Sequence, residues 1–229
     1  QTADSSRRTG DLSTRTTDPS TGDDNMTVKS LCKYQVIYAD PPWSYGNQGF
    51  GKRQGGAESG SYAPESGRYS VMSIQDIKNL GPSIKKITSK DAVCLMWVTS
   101  PFLKHGIEVM EVWGFEYSTI AFCWSKITSS GKDVANLGYY TLGNVELCLL
   151  GIKGSVKRQR RDVRQLVRSE RRGHSMKPSE VRDRIDLMFG DIPKLELFAR
   201  EKPQGWDIWG NELKNDVTLT EEDELKSIL

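Results

Sequence analysis

The sequence predicts an α/β fold: a mostly parallel sheet with helices on both faces. Three observations carry that prediction. Short apolar runs rich in β-branched and aromatic residues recur along the chain. Segments with helix start and stop signals lie between them. The first run, residues 36–39, ends abruptly on Asp40-Pro41-Pro42-Trp43. Proline has no N–H to give a ladder, so a strand must stop there. An acid at the carboxyl end of a strand, followed by a rigid turn and a large ring, lies where open α/β sheets bind ligands.

The elements follow in order. Residues 1–27 are Ser, Thr, Asp, Gly and Arg with almost no apolar residue. They cannot bury enough surface to offset ordering, so they predict a disordered or partner-binding tail. The main domain spans 28–215. After Trp43 comes a glycine-rich polar loop, 44–68, long enough to be a substrate-contacting flap through Lys52 and Arg53, or an exposed mobile loop. Its Gly46, Gly49 and Gly51 precede no helix start, which rejects a nucleotide loop. Ser73-Ile-Gln-Asp76 is a capping box that opens a helix to about Leu80. Residues 92–98 read as a second strand. Thr99-Ser-Pro101 starts a helix that Gly114 stops. Strands follow at 115–124 and 145–152, separated by a polar loop at 126–143. A basic loop, a helix at 178–189 and a strand at 195–199 come next. A Gly- and Trp-rich stretch closes the domain, and Thr220-Glu-Glu-Asp223 caps a short acidic helix within 216–229. The layout is Rossmann-like but lacks the Gly-x-Gly-x-x-Gly fingerprint, which argues against a nicotinamide or flavin enzyme.

Composition narrows the class. At 229 residues, 36% hydrophobic and 27% charged, the chain is globular in character. No 18-residue apolar stretch or signal-peptide pattern occurs, and Gln1 in place of Met suggests a trimmed chain. Cys32, Cys94, Cys123 and Cys148 have no paired metal spacing, and three of them lie in apolar runs. That predicts reduced thiols in an intracellular protein. Two histidines, His105 and His174, make a zinc site an unpromising reading, and no metal is expected.

Motifs across 33–213 sharpen the function. Asp40-Pro-Pro-Trp43 resembles the catalytic motif of the MT-A70 family of adenine-N6 methyltransferases. Tyr69-Ser-Val-Met72 and Leu95-Met-Trp-Val98 are similar to two further family motifs. Gly143-Asn-Val-Glu146 resembles the start of its Glu-containing strand. Ser175-Met-Lys-Pro-Ser-Glu180 resembles its Ser-x-Lys-Pro-x-Glu segment. Leu195-Glu-Leu-Phe-Ala-Arg200 and Gly205-Trp-Asp-Ile-Trp-Gly-Asn211 match its closing pair. The catalytic motif precedes the cofactor motifs, a permuted order.

The resemblance implies an S-adenosylmethionine-dependent Rossmann-like methyltransferase acting on nucleic acid. The amine of adenine is a poor nucleophile because its lone pair is delocalised. Asp40 would accept one N–H, and the Pro41 carbonyl, held in direction with Pro42 by locked φ angles, the other. Trp43 reads equally as a stacking ring or a core residue. By the same resemblance Lys177, Glu196, Phe198, Arg200, Asn211 and Glu212 are cofactor residues. Tyr45, Tyr69 and Glu146 lie at the substrate. Glu212 stands where the family's messenger-RNA enzyme has Gln, and Lys202 where it has His.

Residues 153–172 hold nine cations against Asp162 and Glu170. Although net charge is only +2, this run, with Arg158, Arg160 and Arg161 at its centre, suits a phosphate backbone near the site, or else a solvated face. DNA is favoured over RNA, because the compact body looks like bacterial, phage and ciliate-type members. The resemblance further implies a heterodimer with an inactive paralogue, accessory DNA-binding subunits, no membrane, and a nuclear or bacterial cytoplasmic location by origin. An inactive scaffold is the alternative from another class; the intact Asp-Pro-Pro-Trp argues against it.

Overall fold

The computed structural model describes residues 33–44, 71–134, 136, 140–171 and 176–220. Outside them lie the predicted tail, the loop carrying Tyr45, Lys52, Arg53 and Tyr69, and the body of the C-terminal acidic helix. One seven-stranded sheet organises the described residues. Its strands are β1 (Tyr34–Ala39), β2 (Thr88–Val98), β3 (Glu116–Ile127), β4 (Val145–Lys153), β5 (Leu166–Glu170), β6 (Lys194–Leu197) and β7 (Asp207–Trp209). The helices are α1 (Ile74–Asn79), α2 (Gly81–Ile87), α3 (Leu103–Val112) and α4 (Ser179–Phe189).

The order across the sheet is β5-β3-β4-β2-β1-β6-β7. Pairings β1–β2, β1–β6, β6–β7 and β3–β5 are parallel; only β4 runs against its neighbours β2 and β3. The sheet is therefore mostly parallel, and the chain is of the α/β class the sequence predicts. From β1 the chain goes to β2 on one side and later returns to β6 on the other. That makes the end of β1 a topological switch point, the crevice where such sheets bind ligands.

Both faces of the sheet are covered, so β1 is apolar from Val36 to Ala39 rather than alternating. Ile37, Ala39, Cys94, Met96 and Val98 point to one side and pack with Ile77 and Ile84 of α1 and α2 and Val109 and Met110 of α3. Val36, Tyr38, Val93, Leu95 and Trp97 point to the other and meet Val181, Ile185 and Phe189 of α4. This is the period-two alternation of a strand, with an apolar partner on each side.

The capping box at Ser73 and Asp76 forms as the sequence predicts, with the Ser73 side chain accepting from the Asp76 N–H. Three elements were not foreseen. Gly81-Pro82 reads as a stop after α1 but opens α2, because proline is well suited to a first turn. β5 lies in the predicted basic loop; among Leu166 to Glu170 only Val167 is buried, so its inward pattern is a single residue. β7 is three residues in the Trp-rich stretch. Its outer edge is closed by Asp216, whose backbone and carboxylate both bond Ile208, which protects it from pairing with another chain.

Trp113 seals α3 against α1: it is fully buried and its indole N–H donates to the Ile77 carbonyl at 2.9 Å. Trp113→Ala is expected to lower the unfolding free energy by about 3–5 kcal/mol, read as a shift of the chemical denaturation midpoint. A midpoint within error of the parent would refute this packing.

Candidate active site

The site is built at the carboxyl end of β1. Asp40 leaves the strand, and the Pro41 carbonyl accepts the Trp43 N–H at 2.9 Å, a tight turn about Pro42. That leaves one lone pair on the Pro41 oxygen for another donor. The turn is tied down by Met72, whose N–H donates to the Pro42 carbonyl (2.9 Å) and whose carbonyl accepts the Ser44 N–H (3.2 Å). Trp43 is 8% exposed. Its ring stacks on Phe102 with centroids 5.4 Å apart, and its N–H donates to the Trp97 carbonyl at 3.1 Å. Of the two readings open for Trp43, the structure realises the core one: the ring braces the turn.

Four charged side chains meet beside this turn. Lys177, just ahead of α4, places Nζ 2.7 Å from Asp40 Oδ2 and 3.3 Å from Glu146 Oε2. Lys126, near the end of β3, bonds the other Glu146 oxygen. Aromatic faces lie next to the cations: Lys177 Nζ is 5.7 Å from the Trp97 ring and Lys126 Nζ 5.0 Å from the Trp124 ring. The Trp97 N–H in turn donates to the Tyr38 hydroxyl at 2.7 Å. The sequence flagged Asp40, Lys177 and Glu146 separately; the structure joins them. Lys126 was missed, although it stands two residues from Trp124 and so on the same strand face.

Burial pushes the Asp40 carboxyl above its ordinary value, with Lys177 pulling against that shift. Burial also acts to raise Glu146, but Lys177 and Lys126 outweigh it and the net shift is downward. For Lys177, burial acts to lower the pKa, and the two carboxylates more than reverse it. Burial thus raises Asp40, while the two lysines hold Glu146 down.

On the other side of the switch point β6 ends in a bend. Glu196 is mostly buried, and burial pushes its carboxyl up to about 7 against the pull of Arg182. Phe198 takes a left-handed conformation, φ 62°, and its ring meets Trp209 edge-on at 5.4 Å. Gly210 packs so closely on the bend that a Cβ would come within 2.4 Å of the Ala199 carbonyl oxygen. Arg200 Nε lies 3.9 Å from Glu212 Oε1, beside the exposed Asn211. Lys202 bonds Asp216 at 2.6 Å. The charges of Arg200 and Glu196 both act on Asp40, so the two halves face one crevice.

The structure does not bring Arg158, Arg160 and Arg161 to this crevice. Because β4 is reversed, Glu146 at its start lies with Asp40, whereas Lys153 at its end pairs with Ala92 at the opposite end of the sheet. The basic segment begins there. Gln159 N–H donates to the Met188 carbonyl at 2.7 Å, at the far end of α4 from Lys177. Eleven residues of helix separate the two ends, about 16 Å. Arg160 is moreover forked onto Asp162 at 2.9 and 2.6 Å. The expectation that this run lies beside the site fails because a strand reversal is invisible in a charge count. Only its last part climbs back along β5. Arg168 pairs with Asp133 at 3.2 Å, and the Arg171 N–H bonds the Ile127 carbonyl at the Asp40 end of the sheet.

An acid and a proline-fixed carbonyl at the switch point, flanked by paired lysines, define an α/β group-transfer enzyme. Comparison with known proteins narrows this. The MT-A70 family profile matches residues 34–212. The chain belongs to the MT-A70 family of S-adenosylmethionine-dependent adenine-N6 methyltransferases. It is 40% identical over 199 residues to the Type II methyltransferase M.MunI of a Mycoplasma species, covering 80% of this chain and 79% of that protein. It is 28% identical to an MT-A70-like N(6)-adenosine-methyltransferase of Arabidopsis thaliana, over 84% of this chain and 25% of the relative. It is 25% identical to the human N(6)-adenosine-methyltransferase catalytic subunit METTL3, over 82% and 30%. The chain thus spans about a quarter to a third of these plant and animal relatives.

An ionised carboxylate is the stronger acceptor of an amine hydrogen, so methyl transfer is expected to rise with pH through the elevated Asp40 pKa. Lys177→Met removes the nearest charge opposing that elevation. The acid limb of the kcat/KM profile is expected to move up by about 1–3 pH units. An unmoved limb would show that Lys177 does not set the charge of Asp40.

Proposed function

We propose that the protein methylates the exocyclic N6 amine of adenine in DNA. The observation that carries the chemistry is Asp40 at the end of β1, adjacent to a Pro41 carbonyl with a lone pair to spare. Two acceptors can take both amine hydrogens and localise the nitrogen lone pair for attack. S-adenosylmethionine supplies the electrophilic methyl group. The protein's share is positioning and fixed charge, which is where most of such a barrier is removed.

The residues fit that cofactor by the chemistry of their donors. Lys177 has three hydrogens and two present partners, which suits a carboxylate approaching from the crevice. Glu196, Arg200 and Asn211 offer acceptors and donors of the kind that hold a ribose diol. Phe198 offers an apolar wall. Glu212, paired with Arg200, keeps that guanidinium at the crevice mouth. Glu146 holds Lys177 from behind rather than reaching for the base.

The DNA reading is supported by which relatives match over most of their length. M.MunI, named a Type II methyltransferase, is 40% identical and 79% covered, whereas the Arabidopsis and human N(6)-adenosine enzymes are 28% and 25% identical and only 25% and 30% covered. For a duplex the target adenine must leave the stack to reach Asp40. Arg168 and Arg171, at the Asp40 end of β5, are the cations placed to meet the displaced strand's phosphates. RNA is the alternative substrate. A partner subunit, which the long plant and animal relatives leave room for, is a further arm of the same test.

Asp40→Ala is expected to abolish radiolabelled methyl transfer, by about 100-fold or more, while cofactor affinity by calorimetry stays within a few-fold. The assay should cover duplex DNA, single-stranded DNA and RNA of matched sequence, with and without candidate partners. Undiminished turnover would sink the mechanism, and turnover on RNA alone would replace the substrate. Separately, Arg168→Ala with Arg171→Ala should reduce the salt slope of binding to a short oligonucleotide by about one to two. Arg158→Ala with Arg161→Ala should leave that slope unchanged. The reverse pattern would relocate the phosphate track to the far end of the sheet.

A further inference from the structure

Arg182 is not part of any motif singled out in the sequence. It lies in the second turn of α4, 13% exposed, beneath the crevice. Its guanidinium takes two carboxylates at once. Nη1 lies 3.1 Å from Glu196 Oε2, and Nη2 bonds Glu201 Oε1. Glu196 belongs to β6, opposite Tyr38 in register; Glu201 follows the bend. One planar fork therefore holds both ends of the segment 196–201.

What lies between those ends needs holding. Phe198 has φ 62°, a conformation that strains a residue with a Cβ and persists only where its surroundings impose it. One restraint is visible on β7: the Ala199 N–H donates to the Trp209 carbonyl at 3.0 Å. The other is Arg182. Between them the bend presents the Phe198 ring and the Arg200 side chain on the crevice side of the sheet end.

We propose that Arg182 is a positioning residue for the cofactor pocket: by clamping Glu196 and Glu201 it enforces the strained bend that presents Phe198 and Arg200, and it fixes Glu196 as an acceptor. This rests on the assignment of the bend to S-adenosylmethionine binding. Glu196 is faced by Arg182 from α4, by Glu201 from the segment after β6, and by Asp40 and the neutral Tyr38 from β1. Among the described residues Arg182 is the cation that pulls hardest on it; the two acids favour its protonated form. Glu196 accepts most strongly when ionised, so binding should weaken as pH falls through its pKa. Loss of Arg182 moves that midpoint upward. Glu201 also raises Glu196 by its own charge, so cutting its arm should loosen the bend and move the midpoint downward, opposite to the loss of Arg182.

The test is calorimetric binding of S-adenosylhomocysteine to the full chain at several pH values. Arg182→Met should weaken binding at pH 7 by about tenfold and displace the midpoint to higher pH. Arg182→Lys should restore the midpoint more than the affinity, because an ammonium supplies charge without the fork. Glu201→Gln should weaken binding a few-fold and displace the midpoint slightly to lower pH. The lysine and glutamine variants keep the clamp testable if the methionine variant does not fold by circular dichroism. Folded Arg182→Met, or Arg182→Lys and Glu201→Gln together, with parental affinity and midpoint would overturn the inference alone. A parent chain with no affinity for the nucleoside thioether would overturn the functional reading and the inference with it.

Discussion

The Asp40–Lys177 ion pair is the constraint around which the site is arranged. A carboxylate at the end of a buried strand would be costly if left unpaired; removing one partner of a buried pair typically costs about 3–5 kcal/mol. Lys177 neutralises it, but then needs Glu146 to balance its own second contact, and Glu146 needs Lys126. The charges alternate across four separate chain segments: the ends of β1 and β3, the start of β4 and the approach to α4. None of these segments can shift alone without stranding a charge. The cluster thus fixes the crevice geometry as firmly as the apolar core does, while burial still raises the Asp40 carboxyl.

The tryptophans supply the rigid frame around that cluster. All six are buried. Trp43, Trp97, Trp113 and Trp124 each donate an indole N–H to a different element of the chain at 2.7–3.2 Å, and Trp206 reaches Asp186 at 3.4 Å. A large apolar ring with one obligatory donor both fills volume and fixes orientation. That combination explains why Trp43 braces from below a turn whose prolines already fix direction.

Much of the fold was legible because its signals are local. The β1 run stops at prolines, Ser73 and Asp76 form a capping box, and α4 follows Pro178. β5 and β7 were not legible, since each is an edge element with few inward residues. In the site, Asp40 and Lys177 could be read from their motifs, but their contact joins residues 137 positions apart. Lys126 and Arg182 carry no motif; only their partners reveal them. The placement of Arg158, Arg160 and Arg161 was unreadable for a different reason. A run of arginines reports charge, not which end of a sheet it leaves from, and that depends on the direction of the preceding strand.

That direction has a wider consequence. By running against its neighbours, β4 makes β3 and β4 a hairpin whose connection leaves β3 after Ile127 and enters β4 at Val145, both at the Asp40 end of the sheet. A parallel strand in the same place would have needed a long crossover and would have delivered its loop to the opposite side. Here both ends of the connection stand at the end of the sheet that carries Asp40, Lys126 and Glu146. A change in that connection is therefore felt beside the ion-pair cluster, and not at the end from which Lys153 leaves.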